Sequence, residues 1–533
     1  MLFQSVEFIY IFLPIACAIY ITLQINTFQT PSKIWIIAVS LAFYAWWYPP
    51  NLILILISMG VNYALGTVVG TPMFSTHRHQ TQKIFLTIGV TLNLMGLAYF
   101  KYWFFIVENV SLINGHSYSV SKIVLPLAIS FFTFQQIAFL IDRYRSHILM
   151  PSVIDYFFFV TFFPQLIAGP IVLAKEIFPQ LDKVHWKKPS WLDLSTGLTL
   201  FTLGVFKKVF FGDSFGELAD LSFGAATTEP QLLIISWVGV LAFSLQIYFD
   251  FSGYSDMAVG LARMMGIAIP FNFNSPYKAT SIIEFWRRWH VTLSRFLRDY
   301  LYIPMGGNRS GPVRRYLHLA VVMLLGGLWH GAGWVFVIWG GIHGLSLIIN
   351  HLWRNWRKAK NIPVFFGEKA LYGLLTANVV VFAWVFFRAG SLEVAIHVLE
   401  GMSGKGGVLV LPTHYAGYFG GLTPFLHSAG VEFAYTADTL YFNQLKTFAL
   451  IPVGILVVVF LPNSQEYLRR YLDGGETASH LHRHDKPLPN VLQKLMSLLV
   501  WRPNAIWGSA CAAALIWVTL QAYTVKSFVY FEF

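Results

Sequence analysis

Apolar residues run along this chain in long blocks, each about the length of a bilayer-crossing helix, with polar residues confined to the joints between them. A spanning helix needs roughly 20 predominantly apolar residues. Blocks of that kind fall at 8–24, 33–49, 51–69, 84–106, 122–141, 152–172, 195–212, 231–249, 369–388, 447–462 and 506–524, and each predicts a helix. The first block, Phe8–Leu23, is preceded by Glu7 instead of a basic segment, so it reads as a retained span and not as a secretory signal. No soluble domain and no low-complexity linker interrupts the pattern, which makes the chain an all-α polytopic membrane protein with one domain over 1–533.

Three stretches depart from the simple block. Residues 401–446 are rich in Gly, carry Pro412 and Pro424, and hold few charges. They read as a loop outside the bilayer on the periplasmic side, long enough to be functional and not merely connecting. Residues 463–505 are charged and contain His480, His482 and His484. With only Asp485 nearby, that tract reads as a solvated loop in preference to a metal site. The segment 263–315 concentrates Arg263, Lys278, Arg287, Arg288, Arg295, Arg298, Arg309, Arg314 and Arg315, which assigns it to the cytoplasmic side. Inside it, Ser281–Tyr300 places Ile282, Phe285, Trp286, Trp289, Leu293, Phe296, Leu297 and Tyr300 on one arc of a helix. Arg287, Arg288, Arg295 and Arg298 fall on the opposite arc. That is the pattern of a helix lying in the interface, its basic face open to anionic lipid or to an acidic partner.

The apolar stretch Tyr316–Asn350 is too long for one span and too short for two. Its flanks are both basic, Arg314 and Arg315 before and Arg354, Arg357, Lys358 and Lys360 after, so the chain is expected to enter and leave on one side. Each arm would reach roughly 21–25 Å, short of the ~30 Å hydrocarbon core. Trp329-His330-Gly331-Ala332-Gly333-Trp334 would form the tip. Irregular backbone at that depth survives only where protein or water surrounds it, so the tip should line a cavity.

Composition supports the membrane reading: 56% of residues are hydrophobic and 12% are charged, against about 25% charged in soluble domains. The net charge of +12 lies in short loops between apolar runs. It therefore reports topology and not a nucleic-acid partner. The two cysteines, Cys17 and Cys511, lie in apolar segments and form neither a disulfide framework nor a metal site.

The candidate chemistry centres on histidine. His330 would be an ionisable group within the membrane, which is costly and usually functional; as a neutral imidazole it could accept a proton, a role worth roughly 10²–10⁴-fold. The competing role is a hydrogen bond that seals the helix break. His290 sits at the edge of the apolar arc, pointing toward the protein, and could be only an amphipathic anchor. His343 reads as structural. No metal is expected at these three histidines, because none of them belongs to an HxxxH, HExxH or Cys pair. Tyr248–Asp256 closes a span with two carboxylates, Asp250 and Asp256, where pairing with the arginines of the interfacial helix is favoured over substrate binding.

Several motifs in order resemble those of the membrane-bound O-acyltransferases. These are Gln165-Leu166-Ile167-Ala168-Gly169-Pro170-Ile171, Tyr248–Ala258, Phe271-Asn272-Phe273-Asn274-Ser275-Pro276-Tyr277, Phe285-Trp286-Arg287-Arg288-Trp289-His290, Arg298–Arg309 and Trp329-His330-Gly331. The resemblance covers nearly the whole chain. It is to the bacterial branch that acetylates alginate and peptidoglycan and transfers D-alanine to teichoic acids, and the ending Val529–Phe533 is similar to the alginate subfamily's tail. The resemblance implies a bundle of about 11–13 transmembrane and re-entrant helices around a central tunnel, with a motif-bearing core over 120–390. It implies that His330 and His290 are catalytic, with Trp329, Gly331, Trp334, Asn272, Trp289, Asp250 and Arg298 as candidates for lining the tunnel. It further implies a cytoplasmic acyl thioester donor such as acetyl-CoA and an outside acceptor. The acceptor would be a polysaccharide or a periplasmic carrier or transferase, reached in the bacterial inner membrane. D-alanyl transfer, an acyl-group transporter and a scaffold for a polysaccharide-modifying complex are the alternatives; the absence of an evident inverted repeat weighs against a secondary transporter.

Overall fold

The computed structural model describes residues 1–70, 76–116, 118, 123–182, 188–309, 311–434, 449–472, 501–521, 526, 528 and 529. Among these, helix dominates, and β-pairing is limited to two short parallel strands, Leu409–Pro412 and Val431–Ala434. Seven helical stretches among the described residues are long and apolar enough to cross a membrane: Phe8–Ile25, Asn51–Val69, His79–Asn114, Trp191–Ala225, Leu233–Met264, Trp334–Ala359 and Glu368–Arg388. The chain is a multi-pass membrane protein. Gln29–Ala45, Leu450–Phe460 and Ala505–Leu520 match three further predicted spans. The His480–His484 tract lies outside the described residues, as do 435–448.

Two predicted spans are not single helices. The block 122–141 becomes helical only from Ile129 to Tyr144. The block 152–172 is broken into Val153–Thr161 and Phe163–Leu166, because Pro164 cannot extend the first helix and Gly169-Pro170 ends the second. Its apolarity serves the protein core: Tyr156, Phe158, Phe159, Phe162 and Phe163 are all buried. Where a run is apolar because protein surrounds it, length is set by packing and not by bilayer thickness.

Two other blocks extend well beyond their predicted ends. Trp191–Ala225 and Leu233–Met264 each reach roughly 50 Å at 1.5 Å per residue. They pack through glycines seven residues apart on each helix. A Cβ on Gly197 or Gly204 would approach Gly260 O and Gly253 O to 2.6 and 2.5 Å, so only glycine permits this backbone contact, as is common between membrane helices. Tyr248–Asp256 consequently lies inside a helix and does not close a span. Asp250 and Asp256 pair with Lys208 at 3.0 Å and Lys207 at 2.6 Å and not with the interfacial arginines, because those lysines lie on the helix directly alongside.

The interfacial segment is also two helices, Ile282–Arg288 and Val291–Leu297, broken at Trp289-His290. The predicted apolar arc is buried or half-buried throughout. The basic arc divides: Arg287 and Arg298 are exposed, whereas Arg288 pairs with Glu284 at 2.9 Å and Arg295 grips Glu176 through both Nη atoms at 2.5 and 2.9 Å.

The hairpin arms are Pro312–His330 and Trp334–Ala359. At 19 and 26 residues they reach about 28 and 39 Å, longer than expected, because Pro312 at the first turn and the Arg/Lys-rich far end continue the helices. Gly327 and Gly340 let the arms touch backbone to backbone, since a Cβ on either would collide with a carbonyl oxygen of the facing arm.

Candidate active site

The last turn of the first arm ends in carbonyl oxygens that no residue further along the helix can satisfy. A neighbouring helix supplies the donors. The stretch His79–Asn114 contains a wider π-helical turn, Ala98–Tyr102, and there Lys101 Nζ donates to Trp329 O at 2.5 Å and His330 O at 3.2 Å. Tyr102 Oη donates to Leu328 O at 3.0 Å. The Lys101 ammonium also lies 5.9 Å from the Trp329 ring centroid. A cation at this helix end meets the negative pole of the helix dipole, which offsets the cost of holding it inside the bundle.

His330 follows at the end of that helix, 5% exposed. Its ring packs against Trp329 at 4.9 Å, Trp339 at 5.1 Å and Phe387 at 5.1 Å between centroids. A cavity of about 170 Å³ opens beside it, walled by Lys101, Pro126, Ser130, Trp329 and His330 itself. The expected cavity at the tip is therefore present.

His290 is fully buried and adopts a left-handed backbone conformation, φ 40° and ψ 56°, which is uncommon for a side-chain-bearing residue and costs about 1–3 kcal/mol. The surroundings hold it there. Val291 N donates to Asn272 O at 3.0 Å. Thr292 Oγ1 donates to Asn272 Oδ1 at 2.6 Å and accepts from Ile171 N at 2.9 Å. The break turns the imidazole inward, against Phe251 at 4.8 Å and Trp329 at 6.3 Å. Trp329 thus touches the rings of both histidines. His290 does not wall the cavity beside His330.

His343 joins the same cluster, one indole away. It lies 4.7 Å from Trp339, which also packs against His330, and Trp286 and Trp384 enclose it further. Among the described residues neither ring nitrogen of His343 has a hydrogen-bond partner. Sequence reasoning set it aside as structural; its helical spacing of nine from Trp334 carried no sign that Trp339 would bridge it to His330.

The remaining candidates separate. Trp289 is buried among Phe273, Phe285 and Trp384. Asn272 clips the His290 turn. Asp250 accepts from Val529 N at 2.8 Å, so Val529 adjoins the Lys208–Asp250 pair, with Phe528 stacked on Tyr254 at 4.8 Å. Trp334 is half exposed and donates to Asn109 Oδ1 at 2.9 Å. Arg298 is exposed and pairs with the adjacent Asp299. Lys101 was missed altogether, although it is the one charged residue between 84 and 106; a single cation inside an apolar run was the available signal.

Gly331 has extended backbone, φ −156°, so it is not required for conformation. It is required for space: a Cβ would enter the ring of Phe336. Gly331→Leu is expected to displace Phe336 and with it the hairpin tip, abolishing acyl transfer while the protein still inserts. Ester formation above about half of the wild-type level at equal abundance would show that the tip tolerates the added side chain.

An enclosed imidazole at a capped helix end, beside a cavity in a multi-pass bundle, is an arrangement suited to acyl transfer away from bulk water. The family model of the membrane-bound O-acyltransferases matches residues 81–392, and the chain belongs to that family; it is an O-acyltransferase. It is 41% identical over 435 residues to a peptidoglycan O-acetyltransferase of Helicobacter pylori, an alignment covering 76% of this chain and 81% of that one. It is 38% identical over 410 residues to a protein of Azotobacter vinelandii named as a probable alginate O-acetylase, covering 75% and 78%. It is 28% identical over 274 residues to a teichoic acid D-alanyltransferase of Bacillus subtilis, covering 49% and 68%.

Proposed function

We propose that this protein transfers an acetyl group from a cytoplasmic thioester donor, such as acetyl-CoA, to a hydroxyl on a cell-surface polysaccharide or on a periplasmic carrier or transferase that modifies it. The observation that carries the mechanism is His330, enclosed by Trp329, Trp339 and Phe387 yet on the wall of the cavity. In the proposed step its imidazole takes the proton of the acceptor hydroxyl while the oxygen attacks the thioester carbonyl. The C–S bond then breaks, the thiolate takes that proton, and an ester remains. His290, which does not reach the cavity, acts as a positioning residue through its contact with Trp329, with Asn272 fixing its turn. The cavity of about 170 Å³ suits a small acyl group. Acetyl transfer is favoured over D-alanyl transfer because similarity to the O-acetylating relatives extends over three quarters of the chain, against about half for the D-alanyltransferase. NMR of surface polysaccharides from cells with and without the protein tests this: O-acetyl signals should disappear in its absence, and unchanged ester content would refute the assignment.

The proposed orientation puts the basic ends of the hairpin arms in the cytoplasm of a bacterial inner-membrane protein and residues 401–434 in the periplasm. There Tyr418, Leu422 and Phe425 are exposed on short helices, a surface suited to an acceptor or partner protein. Cysteine at Tyr418 or Phe425 should react with an impermeant thiol reagent in cells whose outer membrane is permeabilised. Reaction only after inner-membrane lysis would invert the orientation.

A further inference from the structure

Away from His330, a groove of about 990 Å³ runs between the far half of the second hairpin arm and the start of Glu368–Arg388, with Ser281 and Ile282 also lining it. One end is basic. Arg354 and Lys358 lie four residues apart on one helix face, both exposed, and among the described residues neither has a carboxylate partner. Arg357, between them, is already neutralised by Glu368, so the free charge of the rim is that of Arg354 and Lys358. Arg315, whose Nη2 lies 3.0 Å from His351 Nδ1, and Arg287 add to the positive field, both being with Arg354 in the electrostatic neighbourhood of His351.

The rest of the groove exposes mostly apolar surface, with Ser346, Asn350 and Thr376 interspersed. Ile349, Trp353 and Leu375 on its walls are 56%, 42% and 53% exposed, and they continue into the outward apolar face made by Leu345, Leu352, Leu371 and Leu374. A water-soluble anion would use the rim and leave this wall bare. An apolar chain alone would leave the cations unpaired. The Trp353 indole N–H donates to Tyr372 Oη at 3.1 Å, which fixes its ring on the groove wall next to Arg354, and tryptophan is enriched where head groups and chains meet.

We infer that this groove is a binding site for one anionic glycerophospholipid, its phosphate between Arg354 and Lys358 and an acyl chain along Ile349, Leu375 and Val379. The two helices it separates carry Trp339 and His343 on one side and Trp384 and Phe387 on the other, so a seated lipid fixes the spacing of the helices that enclose His330.

The test uses the full-length protein in mild detergent, with thermal stability read against added phosphatidylglycerol, phosphatidylcholine of the same chains, inorganic phosphate and coenzyme A. Phosphatidylglycerol should raise the unfolding temperature saturably, and the other three should not. Each basic residue near a lipid head group contributes about fivefold in affinity, so Arg354→Gln with Lys358→Gln should weaken the effect about 30-fold. Arg354→Gln alone, about fivefold weaker, serves if the double variant does not purify. Equal stabilisation by phosphatidylcholine, a full effect of phosphate or coenzyme A, or an undiminished response in the variants would each overturn the assignment.

Discussion

Replacing His330 by alanine is expected to lower turnover by two orders of magnitude or more, at unchanged protein level in the membrane. The scale is that of a well-placed general base, about 3 kcal/mol of barrier at 10²-fold. The side chain can be removed without dismantling the hairpin, because the arms are joined by backbone contact at Gly327 and Gly340 and the helix end is held by Lys101 and Tyr102. His290→Ala should also reduce turnover, with slow residual activity. Groups acting as a unit are non-additive, so the double variant should be little worse than His330→Ala. Ester formation by purified protein with a thioester donor and a soluble acceptor measures all three. Retention of wild-type turnover by His330→Ala would remove it from the chemistry, and multiplicative losses would make the two histidines independent.

The second large effect is expected at Lys101. Lys101→Met keeps the length of the side chain but leaves Trp329 O and His330 O without their donor. Each unsatisfied buried carbonyl costs about 1–3 kcal/mol. The helix end can escape that cost only by moving, and His330 and Trp329 would move with it. A loss of turnover of roughly 10–100-fold is expected from energies of that size, concentrated in kcat because the group framed by Lys101 is the proposed base. Lys101→Arg retains donors for both carbonyls and should recover most of the lost rate. If Lys101→Met turns over at more than half the wild-type rate, the ammonium is not what positions the helix end. If Lys101→Arg is as poor as Lys101→Met, the fit of the side chain matters and not its hydrogen bonds.

Much of this protein was legible from periodicity and position along the chain. Long apolar runs with basic joints require helices in a bilayer, since no other secondary structure satisfies its own backbone there except a closed barrel. Trp329–Trp334 was recognisable as a hairpin tip because glycines interrupt an apolar run between two basic flanks. The apolar arc of 281–300 followed from helical spacing alone; that it packs against protein and not lipid, on a helix that is broken, did not. That break, at His290, was not legible: no Gly or Pro marks it, and the left-handed turn is held by Asn272 and Thr292, whose contact depends on two separate segments meeting. The same reason hid the partners of Asp250 and Asp256, which are lysines on an adjacent helix in place of arginines nearer in sequence. Apolar residues also look alike whether they face lipid or protein, so 152–172 resembled a span while being core, and helices running on to Ala225 and Met264 could not be bounded. The sequence by itself determined the solvent, most of the helices and that His330 stands at a hairpin tip. Tertiary structure decided that Lys101 caps that break, that Trp329 and Trp339 link three histidines into one cluster, and that Trp334 and Arg298 lie outside it, because those relations are set by which helices pack side by side.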